Sequence, residues 1–232
     1  MLVEQLYTPK GVLPIKDLIV ELEDNETAED APSNLVNRAK TKIFFKFPSK
    51  IRVDQVHNAP NNSLDGRMTV IIRDGTYMWV YAMGQYAAKK TSDSGQATLA
   101  LPFDIQKYRK DAEREYHYLG KETMDSIPVH RVQVLNPAVP GWCAVVWIDP
   151  ERRVPLQLEA AIPQDGKEAG KFKSKRVLYK DIRKLEDGRW FPFQIQIFDG
   201  EILRQVKLYK GVKVNVGLDE QLFQPMKEFY KQ

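Results

Sequence analysis

Three histidines, one cysteine and thirty-one carboxylates are among the groups in this 232-residue chain with the chemistry for nucleophilic, acid–base or metal-binding work. His57, His117 and His130 stand far apart in sequence. None has a second ligand four residues on, the spacing that puts two metal ligands on one helix face. Each reads as a surface or strand histidine. The lone Cys143 excludes an internal disulfide and a cysteine-rich zinc site. Inside the apolar run WCAVVW it reads as an inert buried thiol. The acidic stretch EDNETAEDAPSN lacks the glycine that a calcium loop turns on, so it reads as a solvated hairpin loop. No G-x-S-x-G, H-E-x-x-H or G-x-x-x-x-G-K motif occurs. A catalytic reading is weak.

Apolar patterning carries the stronger signal. In MTVIIRDGTYMWVYAM, Met68 to Met83, two β-branched and aromatic runs flank Asp74-Gly75, a strong hairpin signature. With Asp74-Gly75 as the two loop residues, Arg73 pairs with Thr76, Ile72 with Tyr77 and Val70 with Trp79. One face then carries Val70, Ile72, Tyr77, Trp79 and Tyr81, and the other Thr69, Ile71, Arg73, Thr76, Met78 and Val80. Neither face is plainly built for water, so one must be covered and the other put to use.

The elements around this hairpin follow from the same alternation. A short helix is expected over 2–8 and a strand over Ile15–Glu23. Between Ala39 and Val56, Ile43, Phe45 and Phe47 point one way and Lys42, Phe44 and Lys46 the other, with a bend at Pro48-Ser49-Lys50. Gly84–Leu101 reads as a long loop, and Phe103–Tyr116 as the best helix of the chain. Strands then follow one another to Tyr209, with turns signalled at Asp149-Pro150, Asp165-Gly166, Asp187-Gly188 and Asp199-Gly200. Val212–Val216 could add a further strand, and Leu222-Phe223 forms an apolar anchor near the end. The expected fold is mainly β: one strongly curved antiparallel sheet of about ten or eleven strands, an unclosed barrel with one or two helices over its concave side. All 232 residues are expected in a single domain.

Composition limits the partners. A formal charge of +4 is too mild for a typical nucleic-acid binder. No apolar run approaches a membrane span of ~20 residues. A basic run stands out at Lys167, Lys171, Lys173, Lys175, Arg176, Lys180, Arg183 and Lys184. It reads as a solvated outer strand face whose lysines discourage edge pairing. Transient docking on anionic lipid or an acidic partner is the alternative.

The order of segments resembles the LolA/LolB-like lipoprotein carriers of the bacterial periplasm, a group that includes outer-membrane lipoprotein-sorting proteins. The resemblance is carried by KIFFKFPSKIRVD, by VIIRDGTYMWVY, by the strand WIDPER at Trp147–Arg152 with its acidic–proline–basic turn, and by Phe223–Pro225. Where the enterobacterial carrier has an arginine ahead of the proline, this chain has Phe47. The resemblance implies an unclosed antiparallel barrel with a helical cover and no catalytic activity or cofactor. It implies non-covalent carriage of lipoprotein acyl chains or lipids by a periplasmic monomer whose export signal has been removed. An inner-membrane transporter and an outer-membrane acceptor are the implied partners. A lipoprotein-sensing module of the same fold and a hydrolase of acylated substrates are the alternatives.

Large aromatics that would be exposed on a bare hairpin face can instead meet acyl chains in a cavity. The expected cavity wall is therefore Val70, Ile72, Trp79 and Tyr81, joined by Phe45, Phe47 and Phe193 from other strands. Tyr108, on the covering helix, closes over them. Packing of the same side chains as ordinary core is the competing expectation.

Overall fold

The computed structural model describes residues 14–27, 35–58, 66–82, 87–92, 115–137, 141–163 and 172–226. They form thirteen strands: β1 (Asp17–Thr27), β2 (Leu35–Lys46), β3 (Lys50–His57), β4 (Met68–Arg73), β5 (Tyr77–Ala82), β6 (Ala87–Ser92), β7 (Glu115–Met124), β8 (Ile127–Leu135), β9 (Cys143–Asp149), β10 (Val154–Pro163), β11 (Phe172–Lys184), β12 (Trp190–Asp199) and β13 (Ile202–Val214). One turn of 3-10 helix follows at Glu220–Phe223. The strands hydrogen-bond in the order β6-β5-β4-β3-β2-β1-β13-β12-β11-β10-β9-β8-β7, so the sheet has two ends and does not close. It is mainly β, antiparallel and unclosed as expected, with thirteen strands where about ten or eleven were expected. β6 occupies part of the stretch expected as a loop, and the segment near Val212 continues β13. The helices expected over 2–8 and Phe103–Tyr116 lie outside the described residues, except that Glu115 and Tyr116 open β7.

Short acidic side chains shape the turns. At the β4–β5 hairpin the Asp74 carboxylate accepts the backbone N–H groups of Thr76 and Tyr77, both at 2.8 Å. The Asp74 N–H in turn donates to the Tyr77 carbonyl. The two loop residues are thus Gly75-Thr76, and Arg73 pairs with Met78, Ile72 with Trp79 and Val70 with Tyr81. This register is two residues away from the expected one. Asp74 favours it because its side chain fastens the turn from the flanking position. A shift of two preserves every face, so the division into two sets of side chains stands. The WIDPER turn is built similarly. Asp149, 2% exposed, accepts the N–H groups of Glu151 and Arg152 and pairs with the Arg152 guanidinium. Between β7 and β8, Asp125 and Ser126 take φ of 47° and 67°, the double left-handed conformation that a tight two-residue hairpin needs.

The chain divides into two compact units. One spans Ala100–Val206 with Met1–Val12 and Thr27–Asn34; the other spans Leu13–Glu26, Leu35–Leu99 and Lys207–Gln232. In the second unit β1 buries Leu18, Val20 and Leu22 and exposes Glu21 between them, as period-2 alternation requires. In the first, Val129, Trp147, Val154 and Leu156 form a buried cluster flanked by Ile182 and Trp190.

Gly75 has φ of +104°, and a Cβ there would lie 2.6 Å from Ser49 Oγ in the β2–β3 turn. Gly75→Ala is therefore expected to destabilise the protein by about 1–3 kcal/mol. Urea denaturation measures this, and an unchanged midpoint would contradict the turn geometry.

Candidate ligand-binding surface

The second unit brings four of the expected site residues together. Val70, Ile72 and Tyr81 are fully buried and Trp79 is 4% exposed, in one cluster against which Met68 and Met226 pack. The Tyr81 hydroxyl accepts the backbone N–H of Met226 at 3.0 Å. The cross-strand neighbours of Val70 and Ile72 on β3 are Asp54 and Arg52, which bond to each other at 2.8 Å. This face is polar on β3 and aromatic on β4–β5. The residues after β13 meet its aromatic part.

Several polar contacts hold that segment. The Asp17 carboxylate, 5% exposed as a residue, accepts the N–H groups of Val216, Gly217 and Leu218 at 2.7, 3.0 and 3.3 Å. Lys46 Nζ donates to the Leu218 carbonyl at 2.7 Å. Lys50 and Lys46 both engage the Glu220 carboxylate. Their ammonium groups, Lys50 first, hold that carboxyl below its ordinary 4.5. Phe223, 1% exposed, confirms the apolar anchor expected near the end of the chain.

Phe45 does not join Trp79. Its β3 partner is Ile51, two residues from Val53, which faces Ile43 on one side and Ile71 on the other. The register therefore places Phe45, Ile43, Ile51, Val53, Ile71 and Val80 on the face opposite Val70, Ile72, Trp79 and Tyr81. Phe47, in the turn, packs edge-on against Phe45 with ring centroids 4.5 Å apart, and both are half-buried. Tyr108 lies outside the described residues.

Phe193 belongs to the first unit, where the sheet carries a more continuous apolar surface. Tyr118 pairs with Val132, Val132 with Val146, Val146 with Leu158, Leu158 with Val177, and Val177 with Ile197. These six positions form one uninterrupted apolar row across six strands, spanning ~24 Å at ~4.8 Å per strand spacing. Beside it runs the row Tyr116, Val134, Ala144, Ala160, Lys175 and Asp199, small or apolar until its last two members. Val146, Leu158, Val177 and Ile197 are half-buried and Tyr118 is 51% exposed. On the same face of β12 as Ile197, half-buried Phe193 packs edge-on against Phe191, with the Arg183 guanidinium 4.7 Å from its ring centre. The opposite face is mixed: His117, Gln133, Val145, Glu159, Arg176 and Phe198 align there.

Sequence reasoning missed this row. Both faces of β9 are apolar, so WCAVVWID gives no parity signal, and only pairing with β8 and β10 decides which set is continuous.

The groups suited to chemistry are dispersed. His57 Nε2 lies 3.0 Å from Thr69 Oγ1, His117 reaches Glu115 at 3.4 Å, and His130 stacks obliquely on Tyr118. Cys143 is half-buried, not buried as expected, because it opens its strand beside Gln133. Among the described residues no three potential metal ligands come together. The basic run is not an edge: β11 lies between β10 and β12. Lys173, Lys175 and Arg183 point to one face, and Arg176, Lys180 and Lys184 to the other. Among the described residues no helix is long and apolar enough to cross a membrane.

No family model matches the sequence, and no curated protein does. Solved structures do share its architecture. The crystal structure of a DUF1329 family protein from Desulfovibrio piger aligns over 96% of this chain and 94% of its own, with TM-score 0.67 and 18% identity. A LolA superfamily protein from Nitrosomonas europaea aligns over 97% and 96%, with TM-score 0.60 and 16% identity. A domain assigned to the outer membrane lipoprotein-sorting proteins, from Vibrio parahaemolyticus, aligns over 89% and 88%, with TM-score 0.59 and 15% identity. The fold is LolA-like.

Two expectations follow from the hairpin cluster. Trp79→Ala should cost about 3–5 kcal/mol, as for a packed core aromatic. A loss below about 1 kcal/mol on denaturation would show that Trp79 is not packed as core. Glu220 supplies the pH dependence. Because its folded-state pKa is depressed, its contribution is present above the ordinary carboxylate range and lost as pH falls through the lowered value. Glu220→Gln should therefore flatten the acid limb of the stability–pH curve, and high salt should shrink the difference. An acid limb identical to that of the parent would remove Glu220 from the account.

Proposed function

We propose that this protein is a non-catalytic carrier that shelters the acyl chains of lipoproteins or lipids on an apolar sheet face, in the periplasm and for transfer towards the outer membrane. The observation that carries the reading is the row Tyr118–Val132–Val146–Leu158–Val177–Ile197, apolar across six strands, exposed at Tyr118, half-buried from Val146 to Ile197 and buried at Val132. An acyl chain is a long, unbranched, apolar object that needs contact along its length and no directional bond. A row crossing strands offers that, with the small side chains of Ala144 and Ala160 alongside. Phe193 extends the same face. At roughly 0.8 kcal/mol per buried methylene, a 16-carbon chain needs about 12 kcal/mol of shelter to cross water. That scale calls for a surface spanning many strands, not a single aromatic clamp.

The fold shared with a lipoprotein-sorting domain and a LolA superfamily protein supports the carrier reading over a catalytic one. In the second unit, half-buried Phe45 and Phe47 are the candidates for ligand contact. The cluster around Trp79 backs that sheet from its other face. The carrier would work as a monomer, loaded from an inner-membrane transporter and emptied into an outer-membrane acceptor.

Native mass spectrometry of the purified chain should show co-purifying lipid or acylated peptide, released intact. Leu158→Asp and Val177→Asp, at half-buried positions, should each weaken binding of a fluorescent fatty-acyl probe by at least about tenfold, since a charge must then be desolvated against hydrocarbon. Unchanged probe binding by folded variants would remove the row from the site. Ester hydrolysis of the probe would replace the carrier reading with an enzymatic one.

A further inference from the structure

One end of the first unit combines exposed apolar side chains with excess positive charge. Phe172, at the start of β11, is 57% exposed, and Ile202, at the start of β13, is 44% exposed. Gly200 N–H donates to the Ser174 carbonyl at 3.0 Å, which ties the β12–β13 turn to β11. The Phe172 ring also lies over Gly141, so close that a Cβ there would meet it at 3.0 Å. The tip of β12–β13, the start of β11 and the residues before β9 are thus gathered at one end.

The charges there are organised on strand ends. Lys173 pairs with Asp199 at 2.8 Å, Arg204 approaches the same carboxylate at 3.9 Å, and Arg176 pairs with Glu201 at 3.2 Å. Lys175 stands cross-strand from Asp199. Lys173, Lys175 and Arg204 thus gather around one carboxylate, Asp199, whereas Arg176, on the other face of β11, has Glu201 and its cross-strand neighbour Glu159 beside it. Around Asp199 the side chains are 46% exposed at Lys173 and 44% at Arg204, against 24% at Asp199 itself, so both cations remain open to external anions.

We propose that this end is a contact surface for an anionic lipid bilayer, with Phe172 and Ile202 entering the headgroup boundary and Lys173, Lys175 and Arg204 meeting lipid phosphates. The pairing of large exposed hydrophobes with surplus cations is what an interfacial surface requires. A purely acidic protein partner would make use of the cations and leave Phe172 and Ile202 without a role. Lys175 and Asp199 also end the row that flanks the apolar one, but the inference needs no bound acyl chain.

The test is co-sedimentation of the full chain with phosphatidylcholine vesicles, with and without phosphatidylglycerol. The protein should sediment with the anionic vesicles only and be released by salt. Replacing both apolar side chains, Phe172→Ser with Ile202→Ser, should lower the partition coefficient on the order of tenfold. Lys173→Glu with Arg204→Glu should abolish the preference for anionic vesicles. All four side chains are exposed, so each variant should remain folded, which a cooperative melting curve checks before binding is scored. Failure of the parent chain to sediment, or equal sedimentation with neutral vesicles, would overturn the proposal. So would anionic binding that survives the two serine substitutions unaltered, since that result describes an electrostatic surface suited to an acidic protein.

Discussion

A buried carboxylate anchors the first residues after the last strand. Asp17 begins β1, yet its two oxygens are occupied by the N–H groups of Val216, Gly217 and Leu218, two hundred residues later in the sequence. A charged acceptor satisfying three backbone donors is worth more than neutral turn bonds, and burial makes it costly to leave unpaired. Asn215, in the left-handed region with φ of 57°, adds bonds to Lys16 and to the Pro14 carbonyl. The turn is thereby fixed on both sides. The same segment goes on to Met226, whose N–H meets the Tyr81 hydroxyl and whose side chain packs against Trp79 and its neighbours.

That cover answers a problem written into the hairpin. A strand pair apolar on both faces cannot leave either face bare to water at low cost. Here one face continues into Ile43, Ile51 and Val53, and the other meets the segment after β13. Arg52 and Asp54, on that second face, satisfy each other at 2.8 Å and mark where it returns to being polar. The aromatic residues are thus a covered patch beside a charged pair on the same face, and the cover accounts for the near-complete burial of Trp79 and Tyr81.

The fold was legible because alternation, turn residues and their order all agreed. Asp74-Gly75, Asp149-Pro150, Asp187-Gly188 and Asp199-Gly200 each sit at an observed hairpin, and Phe223 is buried as expected. Face membership within each strand was legible too. What could not be read was which face of one strand continues into which face of another. Phe45 and Trp79 were grouped because both are aromatic, but the pairings Phe45 with Ile51 and Ile72 with Trp79 put them on opposite sides. A register is a relation between distant segments, and a stretch such as Ala144 to Ile148, apolar on both faces, carries no internal mark of it. β6 escaped notice for a related reason: AAKKTS has little β-propensity of its own, and pairing with β5 supplies what propensity does not.

The same relation separates the two apolar regions in their suitability for a mobile hydrocarbon. The cluster around Trp79 is closed: its members are at most 4% exposed, and directional contact with Met226 adds to the packing. Removing its cover would require breaking bonds that the fold itself uses. Across β7 to β12, no member of the row from Tyr118 to Ile197 carries a charge or a polar group other than a phenol. Its flanking row turns polar only at Lys175 and Asp199. Contacts along such a row are many, weak and non-directional, so a chain of methylenes can slide along it without passing through a state in which a buried polar group is orphaned. A carrier needs that property, because it must release what it holds. The Trp79 cluster, with its hydrogen bond to Met226, serves the scaffold, and the row, aliphatic on five of its six strands, is the surface that suits the proposed carrier role.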